Sequence, residues 1–212
     1  MIRVTQQHPR YEANYGPGWI GFISRRHEFV AAGIDWFSRW DEISHIPISH
    51  VFNLAGQDLT IEAFEKGVSD GSLYNYLTDP DVALLVRRPR GLSPAFARAI
   101  VAEAEKRLDE PYNNRLIVAL AASETFLGHW LNKITNGHWE KFLCRRAARP
   151  DEWICSQLVA TTLLLTMPAA AYGVLTLPPY IVKPIDLFED LFAFEPGAVE
   201  LVPPGHPLDN RS

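Results

Sequence analysis

The chain has 212 residues, 47% of them hydrophobic and 21% charged, and its formal net charge is −5 with the histidines neutral. These values are typical of a soluble globular protein with one domain, and the acidic balance argues against nucleic-acid binding through overall charge. The only two cysteines, Cys144 and Cys155, predict no disulfide framework. The N-terminus has no signal-peptide core, and no apolar run is long enough to span a membrane. We therefore expect no stable membrane insertion, and a protein that is cytoplasmic or delivered by a non-classical route.

The chain is predicted to have a polar lead-in at residues 1–17, a single domain at 18–202 and a flexible tail at 203–212. Strands are predicted at residues 19–23, 46–54, 59–63, 82–87 and 198–202. Helices are predicted at residues 26–40, 94–108, 115–134, 184–191 and from about Cys155 to Met167. The segment 64–81 is predicted to be a loop, and 169–182 a loop with a possible strand. An alternative for 59–63 is a short helix capped by Asp58.

Cys155 opens a strongly apolar stretch, residues 153–162, which is predicted to form a central helix. A helix that is apolar nearly all round is expected to be buried. Cys155 would lie in or near its first turn, where unpaired backbone N–H groups and the positive end of the helix dipole favour a thiolate. Because a thiolate attacks carbonyl carbon, Cys155 is a candidate nucleophile. The alternative is a small residue of the core.

His50 is the best candidate for the base that such a nucleophile needs. It interrupts the apolar face of the strand at 46–54, where an imidazole is costly unless it has polar partners. If residues 56–58 form a three-residue hairpin loop, Glu62 becomes the diagonal neighbour of His50 on the same face and can orient its ring. A two-residue loop would put the two side chains on opposite faces. The alternatives are a core histidine bonded to backbone and an exposed carboxylate on a strand edge.

Other chemistries lack their sequence patterns. No His-Glu-x-x-His or paired Cys-x-x-Cys spacing occurs, so no metal site is predicted. The Gly-x-x-x-x-Gly-Lys pattern of phosphate loops is missing, as is the Gly-x-Ser-x-Gly elbow. We expect the protein to need no cofactor.

Three short stretches contain the candidate residues His50, Glu62 and Cys155, in that order along the chain. They are Ile48-Ser49-His50-Val51, Thr60-Ile61-Glu62-Ala63 and Ile154-Cys155-Ser156-Gln157-Leu158-Val159. In this order and spacing they resemble the circularly permuted papain-like cysteine hydrolases of the NlpC superfamily, the YiiX-like proteins related to lecithin retinol acyltransferase. In that group a histidine on an early strand precedes an acid on the next strand, and the cysteine opens a late helix. The resemblance covers roughly residues 18–191, including 111–113 and 184–187.

The resemblance implies an α+β fold of permuted papain-like/NlpC type. A central antiparallel sheet would pack on the buried cysteine-bearing helix, with a helical insertion at about 113–150. The resemblance also implies a catalytic triad of Cys155 as nucleophile, His50 as base and Glu62 as orienting acid. The substrate-contacting residues that it suggests are Tyr112, Trp153 and Gln157. The chain departs from the family pattern at Gln157, where glutamate is frequent, and at Asn113, which replaces an aspartate.

The function that the resemblance implies is a cysteine amidase, peptidase or esterase that hydrolyses an amide or ester through an acyl-enzyme. Its substrate would be a small molecule, a peptide such as a cell-wall peptide, or a lipid. An acyltransferase of the same fold and an inert binding or structural protein are the alternatives. The insertion contains Trp130, Trp139 and several lysine and arginine residues. It is predicted to be either a lid, a partner surface or a solvated helical segment.

Overall fold

The computed structural model describes residues 2–25, 46–123, 133, 135, 138–149, 151–167 and 173–205. The described part is a mixed α+β structure. Its strands are β1 (Val4–Gln7), β2 (Ile20–Arg25), β3 (His50–Leu54), β4 (Leu59–Phe64), β5 (Gly67–Ser72), β6 (Val82–Arg87) and β7 (Ala198–Leu201). Its α-helices are α1 (Leu73–Leu77), α2 (Pro94–Glu105), α3 (Asn114–Ser123), α4 (His138–Ala147), α5 (Cys155–Thr166) and α6 (Pro184–Glu189).

A single seven-stranded sheet runs through the described structure in the order β1-β7-β6-β2-β3-β4-β5. β1 pairs with β7 in parallel, and the other neighbouring strands pair antiparallel. The hairpin of β3 and β4 therefore lies towards one edge of the sheet, where β5 is the last strand.

The helix that carries the cysteine packs against one face of the sheet. Cys155, Val159 and Leu163 of α5 lie in one buried cluster with Phe22 of β2 and Val51 of β3. The next residue along each of these strands points to the opposite face, since side chains alternate along a strand. There Ile23 and Phe52 join a second buried cluster. The central strands are apolar on both sides because both faces are covered.

Several predicted elements are found where the sequence placed them. β6 has the predicted bounds, and α2 begins at Pro94, where the side-chain oxygen of Ser93 accepts a hydrogen bond from the Phe96 N–H at 3.2 Å. That helix ends at Glu105, so Leu108, which was predicted to continue its buried stripe, is 36% exposed instead.

Other segments differ from the prediction. The polar lead-in contains β1, which belongs to the sheet because an edge strand with alternating burial needs few apolar residues. The predicted loop at 64–81 contains β5 and α1, and two 3₁₀ turns, Gly173–Thr176 and Pro179–Ile181, occupy part of 169–182. The strand predicted from residue 46 begins only at His50.

The insertion and the remaining predictions are only partly described. α3 and α4 pack on the start of the cysteine helix, where Leu116, Cys144, Ile154 and Ile181 form a buried cluster. The helix predicted at 26–40 and Trp130 lie outside the described residues, as does the tail beyond residue 205. Within the described ranges, no helix combines the length and apolar character needed to cross a membrane.

Candidate active site

Cys155 is the first residue of α5, and its side chain reaches the surface narrowly, with 5% of the residue exposed. Ile154 occupies the N-cap, where its aliphatic side chain offers no hydrogen-bond acceptor. The opening turn is anchored by Ser156, whose hydroxyl donates to the Val182 carbonyl at 2.6 Å. The first backbone N–H groups of a helix have no partners within the helix. Around Cys155 these groups are thus left for a ligand or a developing negative charge.

The β3–β4 hairpin brings His50 and Glu62 into direct contact. Residues 56–58 form the predicted three-residue loop, closed by the Ala55 N–H, which donates to the Leu59 carbonyl at 2.8 Å. This register makes His50 and Glu62 diagonal neighbours, as predicted. The His50 Nε2–H donates to Glu62 Oε2 at 2.7 Å.

The thiol of Cys155 lies near His50, since its hydrogen bonding and charge are among the influences that raise the pKa of the ring. Since Nε2 of the imidazole faces Glu62, the nitrogen left for Cys155 is Nδ1. Burial alone would lower the pKa of His50, but the hydrogen bonds and charges of Cys155 and Glu62 outweigh burial and raise that pKa to about 9. The ring is therefore held as an imidazolium between two acidic groups at neutral pH.

The Glu62 carboxylate has two further hydrogen-bond donors. The Tyr76 hydroxyl donates to Oε2 at 2.5 Å, and the Thr60 hydroxyl donates to Oε1 at 3.1 Å. Burial favours the neutral acid, but the hydrogen bond and charge of His50, followed by the bonds from Tyr76 and Thr60, lower the pKa of Glu62. Glu62 is therefore ionised at neutral pH although it is buried.

Three aromatic rings pack around the imidazole of His50. Tyr76 is stacked on Phe52 with ring centroids 5.1 Å apart. The half-exposed Phe64 ring lies edge-on to the His50 ring, with their centroids 5.7 Å apart. These rings limit the access of water to the contact between His50 and Glu62. In such a low-dielectric setting, electrostatic interactions are stronger than in water.

Two of the three predicted substrate-contacting residues lie beside the cysteine. Tyr112 forms an isolated parallel bridge with Trp153, which brings its segment alongside the start of α5. Burial first, and then the charges of Cys155 and Glu65, raise the pKa of Tyr112, as expected for a phenol close to the thiol. Trp153 itself is buried, and its indole N–H donates to Glu110.

Gln157 lies elsewhere on the helix. Two positions separate it from Cys155, which corresponds to roughly 200° around the helix axis. Its side chain is buried, and its Oε1 finds no hydrogen-bond partner in the described part of the chain. α5 thus directs Gln157 away from the thiol, and a substrate contact by this residue stays a prediction.

The comparison with models of known protein families matches none of them, and the search of curated proteins finds no match either.

No three histidine, cysteine, aspartate or glutamate side chains of the described residues are arranged so that they could hold a metal ion. The site instead has a thiol near an imidazole that is hydrogen-bonded to a carboxylate. These three groups suit nucleophilic catalysis, in which a base activates the nucleophile and a third group orients the base.

Tyr76 and Thr60 are the site residues that the sequence analysis did not single out. Thr60 could have been found, because it lies two positions before Glu62 on the same strand face. Tyr76 lies on α1, a five-residue helix inside a segment predicted to be a loop. Neither helical periodicity nor a cap pattern reveals so short a helix.

Proposed function

We propose that this protein is a cysteine hydrolase that cleaves an amide or ester through an acyl-enzyme. The observation that carries the proposal is the buried hydrogen bond between His50 and Glu62 at 2.7 Å, with Cys155 near His50 at the first position of a helix. The order of the three residues and the position of α5 on the sheet support a permuted papain-like fold of the NlpC type. Glu62 would hold the ring by its Nε2–H, which leaves Nδ1 for the thiol proton.

Before the reaction His50 already holds the proton given up by Cys155 as an imidazolium, and in the first half the thiolate attacks the carbonyl carbon of the substrate. A carbon–sulfur bond forms while the carbonyl electron pair moves to oxygen. The imidazolium then donates its Nδ1 proton to the leaving amine or alcohol as the carbon–nitrogen or carbon–oxygen bond breaks. A His50 pKa of about 9 favours the ion pair with the thiolate at neutral pH.

The developing oxyanion needs hydrogen-bond donors, and the start of α5 supplies them. The backbone N–H groups of the first turn point out of the helix end towards the space beside the thiol. Ile154 at the N-cap cannot satisfy them with its side chain. A side-chain cap at this point would compete with the oxyanion for the same donors, so the aliphatic N-cap fits the proposed role.

In the second half, His50 removes a proton from water, and the resulting hydroxide attacks the thioester carbon. The carbon–sulfur bond breaks, the carboxylic acid leaves, and the thiolate returns. Transfer to another acceptor would use the same first half-reaction, with the acceptor in place of water.

Thiol reactivity tests the activation of Cys155 without any assumption about the substrate. At neutral pH we expect iodoacetamide to alkylate Cys155 faster than Cys144, and His50→Ala to slow the alkylation of Cys155 by about ten-fold or more, because the thiolate loses its imidazolium. The exposed His138 provides the matched control, and His138→Ala should leave the rate within about two-fold of wild type. Cys144 is fully buried and reports on unfolding in every variant. An unchanged Cys155 rate in folded His50→Ala would contradict an activated thiol.

Turnover is tested with a panel of small esters and amides, peptidoglycan fragments and acyl lipids. The expected result is hydrolysis with an acyl adduct on Cys155 seen by mass spectrometry, and a loss of about 10³-fold or more in Cys155→Ser. Equal turnover in Cys155→Ser and wild type would overturn the proposal.

A further inference from the structure

We infer that Tyr76 is a positioning residue of this site, which acts on His50 through the Glu62 carboxylate. The inference rests on the proposed function, since it concerns the same three side chains. Tyr76 reaches the site at the Glu62 carboxylate. Its hydroxyl donates to Glu62 Oε2 at 2.5 Å, the same oxygen that accepts the His50 Nε2–H at 2.7 Å.

The two carboxylate oxygens of Glu62 are held separately. Oε2 is shared by His50 and Tyr76, and Oε1 accepts from Thr60 at 3.1 Å. The titratable groups that face the carboxylate are His50 on β3 and Tyr76 on α1, with Cys155 on α5 beyond His50. β5 faces it with Gly71, which leaves room for Oε1. Three donors on two oxygens fix the plane of the carboxylate and therefore the plane of the imidazole that it holds.

Tyr76 is itself held rigidly enough for this task. Its ring is stacked on Phe52 at an interplanar angle of 9°. The helix that carries it is tied to the hairpin loop by Asp58, whose Oδ1 accepts from the Tyr74 N–H at 2.7 Å and from the Ser72 hydroxyl at 2.9 Å. The loop that sets the register between His50 and Glu62 thus also sets the place of Tyr76.

Removing only the hydroxyl should change the titration of Glu62 while leaving the stacked ring. A carboxylate that loses one of its donors ionises less readily, so its pKa rises towards and above the ordinary value. In Tyr76→Phe we expect the Glu62 midpoint, followed by carbon-13 NMR of its carboxyl, to move up by about 1 pH unit. With an active substrate, kcat should fall about ten-fold while KM stays within about two-fold, as expected for a hydroxyl that acts through Glu62.

Tyr74 on the same helix supplies the matched control, since it is 64% exposed. Tyr74→Phe should leave both the Glu62 midpoint and kcat unchanged. A second replacement guards against misfolding of Tyr76→Phe: 3,5-difluorotyrosine at position 76 keeps the ring and makes the hydroxyl a stronger donor. It should move the Glu62 midpoint down, the opposite direction from Tyr76→Phe.

The outcomes separate the two proposals. The Glu62 titration needs no turnover, so a shifted midpoint in a protein that hydrolyses nothing would uphold the role of Tyr76 towards Glu62 and count against the hydrolase. Turnover in wild type with a Glu62 midpoint that is the same in wild type, Tyr76→Phe and the difluorotyrosine protein would overturn the inference about Tyr76 alone.

Discussion

Glu62 reaches His50 because the neighbouring strand presents a glycine at the right position. A Cβ on Gly71 would lie 2.3 Å from Glu62 Oε1 and 2.6 Å from the Thr60 hydroxyl oxygen. Both atoms are ends of side chains, which can move away more cheaply than backbone can. An alanine at this position should therefore disturb the site more than the fold.

Gly71→Ala is accordingly expected to displace the Glu62 carboxylate and to weaken its bond with His50. The low-field proton resonance of the His50 Nε2–H should shift or disappear, and kcat should fall by about ten-fold, while the midpoint of thermal unfolding changes little. Gly16→Ala is the matched control, since a Cβ there meets no atom closer than 3.8 Å. An unchanged imidazole resonance in Gly71→Ala would contradict the tight fit described for this carboxylate.

The contact between His50 and Glu62 could be predicted from the sequence because it depends on local rules. A three-residue loop and the alternation of side chains along a strand determine which residues become diagonal neighbours. The position of Cys155 beside them is a contact across about a hundred residues, and only the family resemblance suggested it. Tyr76 was missed because its contact with Glu62 depends on how β5 and α1 fold back over the β3–β4 hairpin. No local sequence pattern specifies that packing.

At the scale of elements, Asn113 links the insertion to the cysteine helix. It is fully buried, and its Oδ1 caps α3 by accepting from the Leu116 N–H at 2.9 Å. Its Nδ2 donates to the Ala147 carbonyl at the end of α4 at 3.2 Å, and its backbone N–H donates to the Trp153 carbonyl at 2.9 Å. An aspartate at position 113 could keep the cap but has no donor for the Ala147 carbonyl. This difference is a physical reason for asparagine here, where the family that the sequence resembles has aspartate.

Asn113→Ala should lower the free energy of unfolding by about 2 kcal/mol, because a helix cap is lost and the partly buried Ala147 carbonyl loses its donor. The neighbouring Asn114 is exposed, and Asn114→Ala should cost less than about 0.5 kcal/mol. Urea denaturation of the two variants measures the difference. Equal losses would mean that Asn113 does not hold α3 and α4 together as its contacts indicate.

The elements that could be predicted and those that could not differ in how they are buried. β6 and α2 carry apolar residues at the period of their structure, and both were predicted with the correct start. β1 and β5 are the two edge strands of the sheet, and most of their residues are polar or, in β5, glycine. Such strands form through pairing with a neighbour, which is information that their own residues do not contain.

For the molecule as a whole, the buried contact between His50 and Glu62 ties stability to pH at both ends. The folded-state pKa of Glu62 lies below its ordinary value, so its contribution is present above about pH 4.5 and is lost as the pH falls through the folded pKa. The folded-state pKa of His50 is raised from 6.5 to about 9, so its contribution is complete below pH 6.5 and is lost as the pH rises through 9. The two contributions overlap between about pH 4.5 and 6.5.

We therefore expect the free energy of unfolding to be greatest between about pH 5 and 6.5 and to fall by on the order of 3 kcal/mol by pH 9 to 10, the value that the His50 shift implies. His50→Gln removes the titrating group, so its stability should be lower at pH 6 and nearly independent of pH from 6.5 to 9. His138→Gln, at an exposed position, should keep the wild-type profile. Urea denaturation at a series of pH values measures all three proteins. A wild-type curve that is flat from pH 6.5 to 9 would contradict this profile, because it would mean that folding takes up no net proton in that range.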